Sequence, residues 1–337
     1  MKSAGNEVPE AAGGRSYQIR QPKIAIFGAG LVGGSAALFS AVTIPSAEVV
    51  IIDTARERAE GQVLDLAHAA AFWGHHRFFA GGCESARDAD IIVITAGVGV
   101  KEGQTRLDIA KTNADIAAQI ASRTKEIAPN AFYVIASNPC DVVAGVVHDI
   151  VGGPRERVIS TGTSLDTARL RSLLSEELGV VASAVHAYVL GEHGESALID
   201  WSGATVMGMS VDTFLARSGK ELDHDAVLRS VHNAARNIKK GKPATHYGIA
   251  SGIGRICQAI VHNTDLVLSV GIVHPDIEGV PDVCLSLPMV INGSGARLLA
   301  YPELVPAERE ALRRSARIVK DATDSVLSHR QENRLAA

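Results

Sequence analysis

Lys23-Ile24-Ala25-Ile26-Phe27-Gly28-Ala29-Gly30-Leu31-Val32-Gly33 runs from a short apolar segment through a glycine-punctuated turn into a helical pattern. The apolar segment has the length of a buried strand, and a strand that feeds directly into G-x-G-x-x-G and a helix reads as the start of a βαβ unit. Each glycine has its own physical task. Gly28 permits the tight turn, Gly30 lets the backbone approach a pyrophosphate, and Gly33 allows the helix to pack closely on the strand. Val32 lies inside the same turn, and the free N–H groups of the new helix can bind phosphate oxygens. The geometry suits a dinucleotide.

Working outward, Glu48 to Ile52, Asp90 to Thr95 and Phe132 to Ala136 repeat the pattern of short, β-branched apolar runs that end in polar or small residues. Asp53 stands at the end of the second run, 20 residues after Gly33. A carboxylate there can hold both adenosine-ribose hydroxyls and repel a 2′-phosphate, which favours NAD over NADP. The alternative is that Asp53 merely caps the helix beginning near Ala55. Thr95-Ala96-Gly97 and Ser137-Asn138-Pro139 lie at later strand ends, where open α/β sheets bind ligands, and Asn138 can hydrogen-bond the nicotinamide or a substrate oxygen. Between the strands, Leu107, Ala110, Ala114, Ala117 and Ala121 recur at helical spacing.

After about residue 160 the rhythm changes. A helix is predicted from about Asp166 to Leu178, closed by Gly179, then strands near His186 to Leu190 and Leu198 to Val206. Helices follow near Asp223 to Lys240 and Thr245 to His262, then a strand-rich stretch from Leu266 to about Leu299 and a terminal amphipathic helix through Leu312, Ala316, Val319, Ala322 and Val326. The expected fold is α/β, a Rossmann-type doubly wound parallel sheet followed by an α+β catalytic domain. The expected divisions are a flexible N-terminal arm at 1–21, an NAD-binding domain at 22–160 and a catalytic, substrate-binding domain at 161–330.

Composition narrows the partners. The chain has 337 residues, 46% of them hydrophobic, and a net charge of -4 with both signs interspersed, so it has no basic stripe to meet a nucleic acid backbone. Its four cysteines, Cys83, Cys140, Cys257 and Cys284, form no CxxC pair and read as reduced cytosolic thiols. The first residues lack the apolar core of a signal peptide, and no stretch is long enough and sufficiently free of charge to span a bilayer. A cytoplasmic protein with no membrane partner is expected. His68, the His75-His76 pair, His246 and His262 have no metal-ligand spacing, and no metal is expected.

The chemistry is carried by Gly191-Glu192-His193-Gly194-Glu195-Ser196. A histidine between glycines packs poorly but is well presented, and its near-neutral pKa suits removal of a hydroxyl proton while a hydride leaves carbon. Asp166 is the carboxylate expected on its other nitrogen, fixing the tautomer; alternatively it belongs to a Thr163-x-x-Asp capping arrangement at a helix start. Arg169, three residues on along the same helical face, can clamp a substrate carboxylate bidentately. Arg106 ends a glycine-rich loop, Gly97 to Arg106, that can close over substrate and bring a cation to the carbonyl oxygen where negative charge develops; a solvated loop arginine is the alternative.

In order and spacing these stretches resemble the L-lactate/L-malate dehydrogenase family from about residue 22 onward, and within it the bacterial lactate type. The matching segments are Gly28 to Gly33, Ser137 to Asp141, Gly162 to Arg171, Gly191 to Ser196 and Ala244 to Ala250. The resemblance implies NAD, a His193–Asp166 relay, Arg169 as carboxylate clamp, Arg106 as loop arginine, Thr245 beside the substrate, and a homo-oligomer, dimer or tetramer. It also implies that Glu192 and Trp201-Ser202 follow the lactate pattern. The family's specificity position, six residues before the loop arginine, holds Val100, which matches neither the glutamine that suits pyruvate nor the arginine that suits oxaloacetate. An apolar side chain offers a second carboxylate no partner, so malate is disfavoured and pyruvate or a larger apolar 2-oxo acid is favoured. Arg171 and His186 match positions where fructose-1,6-bisphosphate-activated members gather basic side chains across a subunit dyad. L-malate dehydrogenase activity is the alternative within the family, and a non-catalytic NAD-binding sensor the alternative outside it.

Overall fold

The computed structural model describes residues 21–74, 77–99 and 106–336. Val100 and all of the proposed arm except Gln21 lie outside the described residues, as does the His75-His76 pair.

Six short strands alternate with helices in the first half. They are β1 (Lys23–Phe27), α1 (Leu31–Thr43), β2 (Glu48–Ile52), α2 (Arg56–Ala70), β3 (Arg77–Gly81), β4 (Ile91–Ile94), α3 (Arg106–Ile127), β5 (Phe132–Ile135), α4 (Cys140–Val151) and β6 (Val158–Ser160). They pair in parallel in the order β3-β2-β1-β4-β5-β6. This order reverses between β1 and β4, and that reversal opens a crevice at the carboxyl ends of the strands. Alternation along β1 splits its side chains between the two faces. Ile24 and Ile26 join one apolar cluster with Ala36, Ala37 and Ala41 of α1, and Ala25 and Phe27 join another with Ala117 and Ala121 of α3. All four residues of β4 are buried, as both-face coverage requires.

The second half begins with α5 (Ser164–Leu178), which stops at Gly179 in the left-handed conformation, φ 73°. Then come β7 (Val185–His186), β8 (Val189–Leu190), β9 (Leu198–Ile199), β10 (Thr205–Val206), β11 (Met209–Ser210), α6 (Val211–Ser218), α7 (His224–Lys239) and α8 (Tyr247–His262). A long antiparallel hairpin, β12 (Leu266–Ile277) and β13 (Val280–Asn292), is followed by β14 (Gly295–Arg297) and α9 (Pro306–Ala336). The hairpin joins the parallel sheet through Gly271 opposite Ser160, so one nine-stranded sheet runs through the described residues. Among the described residues no helix is long and apolar enough to cross a membrane.

The segments expected from periodicity are present, with three differences. His186 to Leu190 is not one strand: Val185–His186 pairs with β10 and Val189–Leu190 with β9, so the chain passes from one small sheet to another at Ala187-Tyr188. Likewise Leu198 to Val206 is two separate two-residue strands. β3, α4, β6, β11 and α6 are not among the elements expected from the sequence. β3 opens on Arg77, ends on Gly81 and leaves Phe79 exposed at the sheet edge, and β6 is only three residues long, so neither carries a strong local pattern.

Candidate active site

The turn after β1 is built for close backbone approach. Gly28 has φ +108°, and a Cβ there would lie 2.7 Å from the Ala96 backbone nitrogen. A Cβ on Gly33 would lie 1.8 Å from the Gly28 carbonyl oxygen, whereas one on Gly30 would meet nothing within 4 Å. The two outer glycines are therefore demanded by the protein's own packing. The middle one faces open space on the ligand side, as a pyrophosphate seat needs. Thr95 ties the turn to β4: its hydroxyl donates to the carbonyls of Phe27 at 3.0 Å and Gly28 at 3.1 Å.

Asp53 bonds the backbone on both sides without capping α2, whose N-cap Ala55 has no side-chain cap bond. Its Oδ2 accepts the Ala29 amide at 2.7 Å, and its Oδ1 accepts the Ala55 amide at 2.8 Å. It thus braces the glycine turn as well as the approach to α2, and its remaining lone pairs face a cavity of about 610 Å³. Gly28, Gly30, Thr95, Ala96 and Gly97 line that cavity with it. Asn113 of α3, which the sequence reading did not single out, staples the two neighbouring loops. Its amide donates to the carbonyls of Val98 at 3.1 Å and Asn138 at 2.6 Å, and its Oδ1 accepts the Val98 amide at 2.7 Å. The residues present fit an NAD-like group.

His193 sits on the loop after β8, and that loop is held from three sides. Gly191 exchanges backbone hydrogen bonds with Ser286 of β13, at 3.0 and 3.2 Å. The Glu192 amide donates to Ser315 of α9 at 2.8 Å, and the His193 amide donates to Asp141 of α4 at 2.8 Å. The ring Nδ1 lies 2.5 Å from Asp166 Oδ2. Asp166 Oδ1 accepts from Arg169 Nη1 at 2.8 Å, so one turn of α5 presents the carboxylate to both cations. The Thr163 capping arrangement is not formed. Thr163 makes no side-chain cap bond; its hydroxyl donates to the Val189 carbonyl at 2.5 Å and meets Ser269 at 2.8 Å, tying α5 to β8 and β12.

His193, Arg169, Asn138, Thr245 and Val32 line one partly open cavity of about 170 Å³, together with Ala235 and Lys239 of α7. Arg106 begins α3, but its side chain lies outside the described residues. Burial disfavours the His193 imidazolium, yet the Asp166 carboxylate beside it more than offsets this, and the pKa is raised above the ordinary histidine value. Asp166 is buried too, which alone would raise its pKa; His193 and Arg169 hold it below the usual carboxylate value. Asp141 differs from it. Burial pushes its carboxyl up to about 6, against the lowering effect of bonds from the His193 amide and the Ser160 hydroxyl. Its place in Ser137-Asn138-Pro139-Cys140-Asp141 was visible, but a helix-start aspartate in sequence carries no sign that it will reach a loop 52 residues on. Arg171 and His186 do not line this cavity; the Arg171 Nε donates to the carbonyl of Ala187, the residue after His186, at 3.1 Å, and its guanidinium stands 4.7 Å over the Tyr188 ring.

Residues 22–160 match the lactate/malate dehydrogenase, NAD binding domain, and residues 163–329 the lactate/malate dehydrogenase, alpha/beta C-terminal domain. The chain belongs to the lactate/malate dehydrogenase family. It is similar to L-lactate dehydrogenase of Thermus aquaticus, 39% identical over 307 residues that cover 90% of this chain and 99% of that one. L-lactate dehydrogenase of Geotalea daltonii is likewise 39% identical, over 310 residues. The crystal structure of minor L-lactate dehydrogenase from Enterococcus mundtii in the ligands-bound form superposes with a TM-score of 0.85 at 35% identity, covering 91% of this chain and 98% of that one. As a family member the chain is an oxidoreductase that acts on the CH–OH group of a 2-hydroxy acid.

Proposed function

We propose that the chain is an NAD-dependent L-lactate dehydrogenase, interconverting L-lactate and pyruvate. The observation that carries this reading is His193 and Arg169 on the wall of one cavity, joined through the buried Asp166 carboxylate, with Asn138 and Thr245 on the same lining. In the oxidative direction His193 takes the hydroxyl proton on Nε2, because Nδ1 is committed to Asp166. Asp166 holds the tautomer and stabilises the imidazolium that forms. Arg169 has one nitrogen on Asp166 and others left for the substrate carboxylate, which sets C2 against the coenzyme side of the cavity. Arg106, from the start of α3, polarises the carbonyl oxygen. The NAD seat comprises Gly28, Gly30, Val32, Gly33, Asp53, Thr95, Ala96, Gly97 and Asn138, and bound NAD supplies the acceptor for the hydrogen that leaves C2 with its electron pair. Nicotinamide absorbance with pyruvate plus NADH, and with L-lactate plus NAD, tests the reading; no turnover in either direction overturns it.

The proposal keeps the division of labour at residue 160, coenzyme before and substrate after, and places the enzyme in the cytoplasm. It includes a homo-oligomer, supported by the exposure of Leu64, Phe72 and Trp73 on α2 and the turn after it. It also includes activation by fructose 1,6-bisphosphate at Arg171 and His186, supported by the bond from Arg171 to the residue after His186 and by the exposure of His186. A pyruvate saturation curve that does not shift on adding the sugar bisphosphate at any pH removes that last element.

A further inference from the structure

The cavity wall carries a cation that the reaction above does not use. In α7, Val227, Val231, Ala235 and Lys239 follow one another at four-residue spacing and so run along one face of the helix. Val227 and Val231 are buried core, Ala235 lines the cavity, and Lys239 continues the row on the same lining. An inward row that starts with two core valines is expected to stay apolar to its end. This one ends on an ammonium.

The other charges at the cavity are matched. Asp166 is shared between Arg169 and His193. Lys239 has no hydrogen bond or ion pair among the described residues. Lys239 is exposed and also lines the cavity, so the residue stands where the cavity meets solvent, and Ala235 one turn earlier is small. When Arg169 holds the carboxylate of a 2-oxo acid, the far end of that acid therefore meets a wall with an unmatched positive charge. The apolar Val100 argues against a second carboxylate only where no other cation reaches it, and Lys239 supplies one.

We propose that Lys239 is a specificity-determining residue, whose ammonium takes the far carboxylate of a dicarboxylic 2-oxo acid held at its near end by Arg169. The substrate range then extends beyond pyruvate to acids with an anionic terminus long enough to reach the cavity mouth. The bonds made and broken are those of the parent reaction, since the far carboxylate takes no part in them. A carboxylate entering this cavity unpaired loses its hydration without return, and one paired with Lys239 does not. The inference rests on the dehydrogenase reading above.

The test is steady-state kcat/KM with NADH for pyruvate, oxaloacetate and 2-oxoglutarate, in the native enzyme and in Lys239→Met and Lys239→Arg. Methionine keeps an unbranched stem and removes the charge; arginine restores the charge. The native enzyme is expected to turn over at least one dicarboxylate. Lys239→Met is expected to lower the ratio of that acid to pyruvate by about tenfold or more, and Lys239→Arg to recover most of it. No dicarboxylate turnover by the native enzyme, a smaller fall, or a fall that arginine does not reverse overturns the assignment of Lys239 while leaving the dehydrogenase reading in place. No oxidation of NADH with any of the three acids overturns the dehydrogenase reading itself.

Discussion

His193 is held by two buried carboxylates that do different things. Asp166 bonds the ring and raises its pKa; Asp141 bonds the backbone and fixes where the ring starts from. Reduction of a 2-oxo acid needs the imidazolium, so a raised folded pKa keeps reduction running to higher pH, and the rate is lost as pH rises through that value. Asp166→Asn removes the anionic neighbour and leaves the burial. The falling limb of the pH profile for pyruvate reduction is therefore expected to move to lower pH, with kcat down by roughly 10²–10⁴. A profile that stays in place would mean that Asp166 does not set the histidine. Asp141 is shifted the opposite way from Asp166. Its carboxyl titrates at about 6 in the fold against 3.8 as the ordinary value, so the folded state binds the extra proton and stability falls as pH rises between the two. The difference in Tm between Asp141→Asn and the native chain should become more favourable to the variant from about pH 4 to about pH 8, as thermal unfolding at both pH values will reveal.

At the scale of the element, the turn between β1 and α1 separates what folding needs from what the ligand needs. Gly33→Ala drives a Cβ into the Gly28 carbonyl, forces α1 away from the sheet, and is expected to cost about 2 kcal/mol or more of stability. Gly30→Ala adds a methyl group to open space. Its Tm should stay close to native while the KM for NADH rises, because the methyl stands where a pyrophosphate would come close. Equal losses of stability in the two variants would contradict this division. The first turn of α5 has a similar economy. Asp166 could have been a capping residue, and Thr163 could have capped with it, but Thr163 spends its hydroxyl on β8 and β12, and Asp166 bonds His193 and Arg169 instead.

At the scale of the molecule, the chemistry depends on one sheet that joins both halves. Gly271 opposite Ser160 locks the β12–β13 hairpin to the edge of the parallel sheet, and Ser286 of that hairpin holds the histidine loop at Gly191. The terminal helix α9 closes the same loop through Ser315 and reaches α3 through the Arg330–Asp115 ion pair. The apolar side chains left outside this framework, including Phe72 at 93% exposed, are expected to be covered by a second copy. Light scattering should give at least twice the chain mass, and Phe72→Glu should lower it; a native monomer at micromolar concentration would count against a homo-oligomer.

Sequence alone determined the βαβ order, the glycine turn and the placing of Asp53, Asp166 and Arg169, because each is written in local spacing: apolar runs of strand length, three glycines in six residues, and an aspartate and arginine one helical turn apart. Tertiary structure alone decided that Asp166 turns to His193 instead of capping its own helix, and that Asp141 holds the histidine backbone. It also decided that Asn113 staples two loops and that Lys239 stands on the cavity wall. Those four depend on which distant segments meet. A side chain's alternatives, cap, core, surface or site, are close in energy locally and are separated only by the partner that packing brings within hydrogen-bond reach.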